Sequence, residues 1–448
     1  MRAEIATEVL IIGAGAGGLV AGLAARDAGR EVLLLERDHT PSGSTSLSSG
    51  FIPAAGTGFQ RAAGVADDTA ELFAADILAK SRHQGDADEA LRVARAIGPA
   101  LEWLASAHGI PFEVLQGFRY PGHSRLRMHA VPERTGAGLM ARLLAAAADV
   151  PIVPDALATS LFADPTGRVH GVRFVRPDGS GEDVACARLI LACNGYGGAP
   201  ALVRALIPAM AEALYFGHAG NQGDALRWGE ALGAEARDLG AYQGHGSVAH
   251  PHGVLITWAL MMEGGIQVNT LGRRFWNEHE GYSEAAVAVL GQPGGVAWNI
   301  YDARLHALGL TFPDYREAVA MGAIREAGDI SALASALALP ADVLAETLGE
   351  AGALAATGGT DRFGRRFAAP ALQPPYHAVR VTGTLFHTQG GLRVDDRARV
   401  LRRDGTALPN LSAVGGAARG VSGSGVEGYL SGNGLLTAVA YGWLAGSR

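Results

Sequence analysis

Cysteine is almost missing from this chain: its 448 residues hold two, Cys186 and Cys193. They fall close together in or beside one predicted strand and match no metal-ligand spacing, so they are expected to be buried thiols in a cytoplasmic protein. No CxxCH haem-attachment sequence occurs, which leaves no haem donor within the chain. Long apolar runs are lacking too. The uncharged stretch Val9–Ala25 is short for a membrane span and carries five glycines, and no other apolar run is long enough. Basic clusters are also lacking: Arg is scattered and the formal net charge is −7. That argues against a nucleic-acid surface, and an anionic substrate would need its own Arg or His pocket.

What is present begins with enough apolar sequence, 48%, to build more than one core, so two lobes are expected. Val9–Ile12 is the short aliphatic run of a strand buried on both faces, and Gly13-Ala-Gly15-Ala-Gly17-Gly18 follows at once. Gly13 permits a sharp turn, Gly15 lets the backbone approach a pyrophosphate, and Gly18 lets the next helix pack on the strand. The helix N-terminus then offers N–H groups to phosphates. Val32–Leu35 reads as the second strand. Glu36 ends it, 18 residues after Gly18, where a carboxylate accepts both ribose hydroxyls of a dinucleotide. Gly423-Ser-Gly425-Val-Glu-Gly428 has the same glycine spacing but no room before Arg448 for a following unit.

From Arg37 to Thr57 runs a Gly/Ser/Thr loop with almost no hydrophobic periodicity. Glu36 followed by this GGxTxxSGG-like loop resembles the fumarate reductase and succinate dehydrogenase flavoproteins, in which the loop lies along FAD. Further blocks carry the resemblance: LILACNGYGG at Leu189–Gly198, GHAGNQGDALRWGEALGA from Gly217, HTQGG from His387, and GYLSGNG from Gly428 to Gly434. The resemblance implies FAD held by Gly13, Gly15, Ala16, Gly17, Gly18, Glu36, Arg37, Gly43, Ser44, Thr45, Ser46, Gly50, Ala158, Gly195, Asp224 and Asn433. Members with covalent flavin carry a His in the loop; this chain has only small hydroxyl residues there, so non-covalent FAD is expected.

It also implies an α/β fold: a Rossmann-like FAD-binding domain, 1–245 and 383–448, interrupted by an α+β capping and catalytic domain, 246–382. Residues 67–108 have helical spacing with an acidic start. Phe118–Gly136 gathers Arg, His and Tyr120 in a turn-rich segment that reads either as a solvated loop or as a substrate-pocket wall, and Pro151–Arg188 reads as short strands turning at Asp178-Gly179.

In the capping domain the chain departs from the pattern. Counting from Asn277-Glu278 of the GxRFxNE-like stretch, the family's proton-delivering Arg falls on Tyr282; the second family Arg, before the glycine turn, falls on Tyr429. His387 is retained. A phenol cannot replace the bidentate guanidinium that a dicarboxylate needs, so four-carbon diacid chemistry is disfavoured. The tyrosine pair is similar to that of relatives that desaturate ketosteroids at the 1,2-position. It suits α-proton removal by Tyr282, with Tyr429 and backbone N–H groups near Gly432 polarising a ketone, and Tyr120 in support.

The expected activity is therefore an FAD-dependent CH–CH oxidoreductase, a desaturase of a cyclic ketone or of an oxocyclohexane carboxylate-like or steroid-like compound. Arg125 and Arg127 are the expected partners of a substrate carboxylate. Reduction of an activated alkene and a non-enzymatic electron-carrier subunit are the alternatives. The expected partners are a small-molecule substrate and an external electron acceptor: oxygen, a quinone or a redox protein.

Overall fold

The computed structural model describes residues 5–447; the expected domain limits at 1 and 448 lie outside the described residues. In chain order the elements used below are β1 (Ile5–Ile12), α1 (Ala16–Asp27), β2 (Val32–Leu35), α2 (Ala70–Lys80), α3 (Ala87–His108), β3 (Ile152–Val153), β4 (Leu157–Ala163), β5 (Val169–Val175) and β6 (Gly181–Leu191). They continue with α4 (Asp224–Ala231), β7 (Tyr242–Ala249), β8 (Ile266–Val268), α5 (Tyr282–Leu290), β9 (Val296–Asp302), α6 (Ile330–Leu337), α7 (Ala341–Thr357), β10 (Tyr376–Thr388), β11 (Arg399–Leu401), β12 (Ala407–Ala413) and α8 (Asn433–Gly446). Two compact units result. One comprises the chain up to Ala211, Tyr215–Gln243 and the residues from His387 onward; the other comprises Glu212–Leu214 and Gly244–Phe386.

The first unit is a Rossmann-like FAD-binding fold. Its main sheet runs β11-β12-β6-β1-β2-β3, with β12, β6, β1, β2 and β3 mutually parallel and the β4–β5 hairpin joined to β6. β1 lies between β2 and β6, and Val9, Leu10 and Ile11 have no exposed surface, as its unbroken apolar sequence requires. α1 presents Leu19, Val20 and Leu23 to the core; burying each such side chain contributes roughly 1.5–3 kcal/mol.

The helical spacing over 67–108 belongs to two helices. Thr69 caps α2, Arg82 and His83 adopt φ of 50° and 59°, and Asp86 caps α3 by accepting the Asp88 and Glu89 N–H groups. Left-handed backbone at two successive non-glycine residues ends the first helix whatever the apolar spacing beyond it.

The second unit is an inserted α+β domain. Its sheet includes the run β7-β10-β9-β8, antiparallel between β10 and β9 and between β9 and β8. Ile266, Val268, Ile300 and Ala378 of the sheet form one core with Leu333 and Leu337 of α6, Leu344 and Leu348 of α7, and Phe367. Among the described residues no helix is long and apolar enough to cross a membrane, and no His, Cys, Asp and Glu group could hold a metal ion.

Candidate active site

The glycine turn is built as its sequence demands. Gly13 has φ 104°, and a Cβ there would stand 2.5 Å from the Ala192 carbonyl oxygen; one on Gly18 would collide with the Gly13 carbonyl. The Ala14 N–H donates to Glu36 Oε2 at 2.8 Å and the Asp38 N–H to Oε1 at 3.0 Å, fixing the carboxylate at the strand end. Gly43–Ser46 forms one helical turn over this point, with Thr45 Oγ1 accepting the Ala16 N–H at 3.1 Å, next to Gly15 and Gly17. Ser46 bonds back to Ser42, and Gly50 closes the loop against Thr135.

Ser44 Oγ is a junction, accepting from Asn221 Nδ2 at 2.9 Å and Asn194 Nδ2 at 3.2 Å. Gly195 lies beside Thr388, and its carbonyl accepts the Gly223 N–H at 3.0 Å, which seats the start of α4. Asp224 pairs with Arg227 on that helix, and Arg37 donates to the Gly220 carbonyl at 2.8 Å. Ala158 is buried, two residues beyond Ala156, whose N–H reaches the Glu36 carbonyl.

The same unit gathers His387, Tyr429, Gly432 and Asn433. Tyr429 is buried and stands edge-on to His387 at 5.5 Å. Gly432, at φ 88°, caps α8, and Asn433 opens it with Oδ1 buried and without a hydrogen-bond partner. Tyr120 packs edge-on against Phe51 and Phe118, and His123 Nε2, four residues from Arg127, contacts the Ser431 carbonyl at 2.9 Å. Burial, only partly offset by the Thr388 carbonyl, lowers His387 to about 4, so its ring is neutral at pH 7.

One assignment is corrected here. Arg127 has no exposed side-chain surface; it holds Asp68 bidentately at 2.7 and 2.8 Å and also pairs with Asp76. It is thus closed to a substrate carboxylate. Arg125 is paired with the exposed Asp67 at 2.6 and 3.1 Å. The segment around them also contributes a strand, Met128–Ala130, paired with Ile52–Pro53.

In the inserted unit, Tyr282 is the first residue of α5. A Cβ at Gly246 of β7 would collide with Ala285, and one at Gly383 of β10 with Ala286, so these glycines let α5 lie directly on the sheet. The Gly244 N–H donates to Ser283 Oγ at 2.8 Å. Tyr282 is thereby stacked on His245 at 4.8 Å and 20°, and the other stacked neighbour of His245 is Phe386 at 5.4 Å and 23°. His245 Nδ1 accepts the Ser247 N–H, and burial lowers the ring to about 3, leaving it neutral.

His245 is the site residue that the sequence did not single out; the signal was Gly244-His-Gly246, a histidine between two glycines. Glu278 anchors the segment leading to Tyr282, fully buried and held by Arg274 at 2.9 Å, Arg365 at 2.9 Å and the Gln267 N–H at 3.0 Å.

A glycine turn facing an acidic strand end has the form of a dinucleotide cradle. The family model described as FAD binding domain matches residues 8–435, and the chain belongs to that family. It is an FAD-dependent oxidoreductase. It is 28% identical to the NADH:fumarate oxidoreductase of Klebsiella pneumoniae (strain 342), over 98% of this chain and 47% of that protein, so it spans about half that relative's length. It is 26% identical to the 4-oxocyclohexanecarboxylate 2-dehydrogenase of Sinomonas cyclohexanicum, over 98% of this chain and 92% of that protein.

Among solved structures, the open conformation of a flavocytochrome c3 fumarate reductase matches with TM-score 0.83 and 26% identity, covering 99% of this chain and 78% of that one. The 3-ketosteroid-delta4-(5alpha)-dehydrogenase from Rhodococcus jostii RHA1 matches with TM-score 0.79 and 25% identity, covering 100% and 97%.

Proposed function

We propose that the protein desaturates a cyclic ketone, with or without a ring carboxylate, introducing a C=C bond α,β to the carbonyl. The observation that carries this reading is Tyr282, a buried phenol stacked on a neutral imidazole; counted from Asn277-Glu278, it falls where the resemblance puts the proton-delivering Arg of the fumarate reductases. FAD, when bound, supplies the two-electron acceptor for the hydrogen that leaves the β-carbon. Glu36, Thr45 and the first turn of α1 hold its dinucleotide part, and Asn433 offers Oδ1 at the start of α8.

Tyr282 takes the proton from the α-carbon as phenolate or through a relay. Tyr429, neutral His387 and the N–H groups opening α8 hydrogen-bond the carbonyl oxygen as enolate charge develops, the role of an oxyanion hole. Such donors suit an uncharged oxygen that gains charge in the transition state. They do not suit the two carboxylates of a four-carbon diacid, which call for guanidinium groups. The coverage of the oxocyclohexanecarboxylate dehydrogenase and of the ketosteroid dehydrogenase supports the same reading.

Alkene reduction remains the second reading because the fumarate-reducing relative aligns over nearly the whole chain. The inserted unit is in either case proposed as a cap that excludes water, and the electrons leave to an external acceptor.

The test is anaerobic mixing of the yellow protein with cyclohexanone, 4-oxocyclohexanecarboxylate and a 3-ketosteroid while flavin absorbance is followed. Bleaching by one of them is expected. Full retention of colour with all three, together with rapid reoxidation of the reduced protein by fumarate, would replace the desaturase with the reductase.

A further inference from the structure

His387 is joined to Asn433 by a buried chain of side chains that the proposed chemistry does not itself require. Asn433 Nδ2 donates to Ser422 Oγ at 3.0 Å, Ser422 Oγ donates to Gln389 Oε1 at 2.7 Å, and Gln389 Nε2 lies 3.2 Å from His387 Nδ1. Asn433, Ser422 and Gln389 are all buried. The amide atoms set the direction of the chain: Asn433 Nδ2 only donates and Gln389 Oε1 only accepts, so the single Ser422 proton points to Gln389 and the Asn433 N–H points to Ser422. Gln389, having spent its oxygen on Ser422, presents N–H to the histidine.

His387 Nδ1 also stands 3.3 Å from the Thr388 carbonyl oxygen. If Nδ1 accepts from Gln389 it carries no proton to give that carbonyl, and the ring proton then sits on Nε2. That nitrogen lies against the first turn of α8: a Cβ on Gly434 would be 2.8 Å from it.

We propose that Ser422 and Gln389 are positioning residues that hold His387 in its Nε2–H tautomer and link it to the buried amide of Asn433. The consequence rests on the desaturase reading: with Nε2 protonated, His387 adds a donor beside Tyr429 and the α8 N–H groups, where a carbonyl oxygen is to be held.

The tautomer is read directly in the FAD-loaded protein labelled with 15N-histidine, the His387 signals being assigned by their loss in His387→Gln. The parent is expected to show protonated Nε2 and bare Nδ1. Gln389→Glu, which replaces the donor by an acceptor, should move the proton to Nδ1. Ser422→Ala, which cuts the chain in the middle, should leave a mixture of tautomers and slow flavin reduction by the ketone about 10-fold, the scale of one lost positioning hydrogen bond.

Protonated Nδ1 in the parent overturns the proposal, as does an unchanged tautomer in Gln389→Glu, or a Ser422→Ala protein with the parent's tautomer and rate. The tautomer measurement needs no substrate. Failure of every ketone to bleach the flavin therefore strikes the desaturase reading and leaves the relay to be decided by the labelled histidine.

Discussion

Arg127→Met separates a structural cation from a substrate clamp. The guanidinium lies between Asp68, whose side chain has no exposed surface, and Asp76, 14% exposed, and it covers the Phe73 ring at 4.7 Å. Truncation strands the Asp68 carboxylate with Gln60 Nε2, at 2.7 Å, as its remaining side-chain donor. Breaking a buried pair from one side costs about 3–5 kcal/mol, a large part of a total of roughly 5–15. A fall in Tm on the order of 10 °C is expected at about 2–4 °C per kcal/mol. Adding Asp68→Leu to Arg127→Met removes the stranded charge and should recover much of the loss.

The pH profile gives a second measure. Burial pushes Asp76 up, but Arg127 and Ser124 outweigh it and hold the carboxyl below its ordinary 3.8. A carboxylate depressed on folding stabilises above its unfolded pKa and loses that contribution as pH falls through the folded one. The parent should therefore lose stability below pH 3.8 more steeply than Arg127→Met. Thermal and denaturant unfolding measure both effects. An Arg127→Met protein as stable as the parent, with only a raised KM, would refute the reasoning and return Arg127 to the substrate.

Tyr282→Phe keeps the ring on His245 and removes only the hydroxyl. Substrate binding should persist while flavin reduction in rapid mixing slows about 10²-fold, or ~2.7 kcal/mol, and a parent-like rate would remove Tyr282 from the chemistry. Tyr429→Phe should impair binding and rate together, because its hydrogen bond to the carbonyl exists before the enolate forms. Acid precipitation should release FAD into the supernatant, whereas flavin that stays with the chain would show a covalent link. Glu36→Arg removes the acceptor of the Ala14 and Asp38 N–H groups along with the ribose site, so FAD content after gel filtration should fall; unchanged content would count against the site.

The dinucleotide half was legible because its information is local. Strand, turn, helix and acidic strand end lie within residues 9–36, and Gly13 and Gly18 have steric reasons that their spacing displays. Arg127 was misassigned because its partners are remote: Asp68 and Asp76 are 59 and 51 residues away, and nothing near Arg127 marks it as buried. His245 escaped notice for a related reason. Its meaning depends on α5 resting on Gly246 and Gly383, which are brought together only when β7 and β10 join one sheet. The helix break at Arg82-His83 is set by backbone conformation, to which apolar spacing is blind.

The inserted unit begins on β7 and returns on β10, which are neighbours in its sheet, and Thr384 Oγ1 reaches the His245 carbonyl at 3.0 Å. The long segment Gly244–Phe386 thus leaves and rejoins the chain at points about one strand spacing, ~4.8 Å, apart. To the nucleotide fold it is no wider a gap than a hairpin, and the closure entropy charged to the host grows only slowly with the length inserted. A fold interrupted in this way can acquire, exchange or enlarge its inserted module as surface loops are exchanged, with the parallel sheet and its glycine turn left as they were.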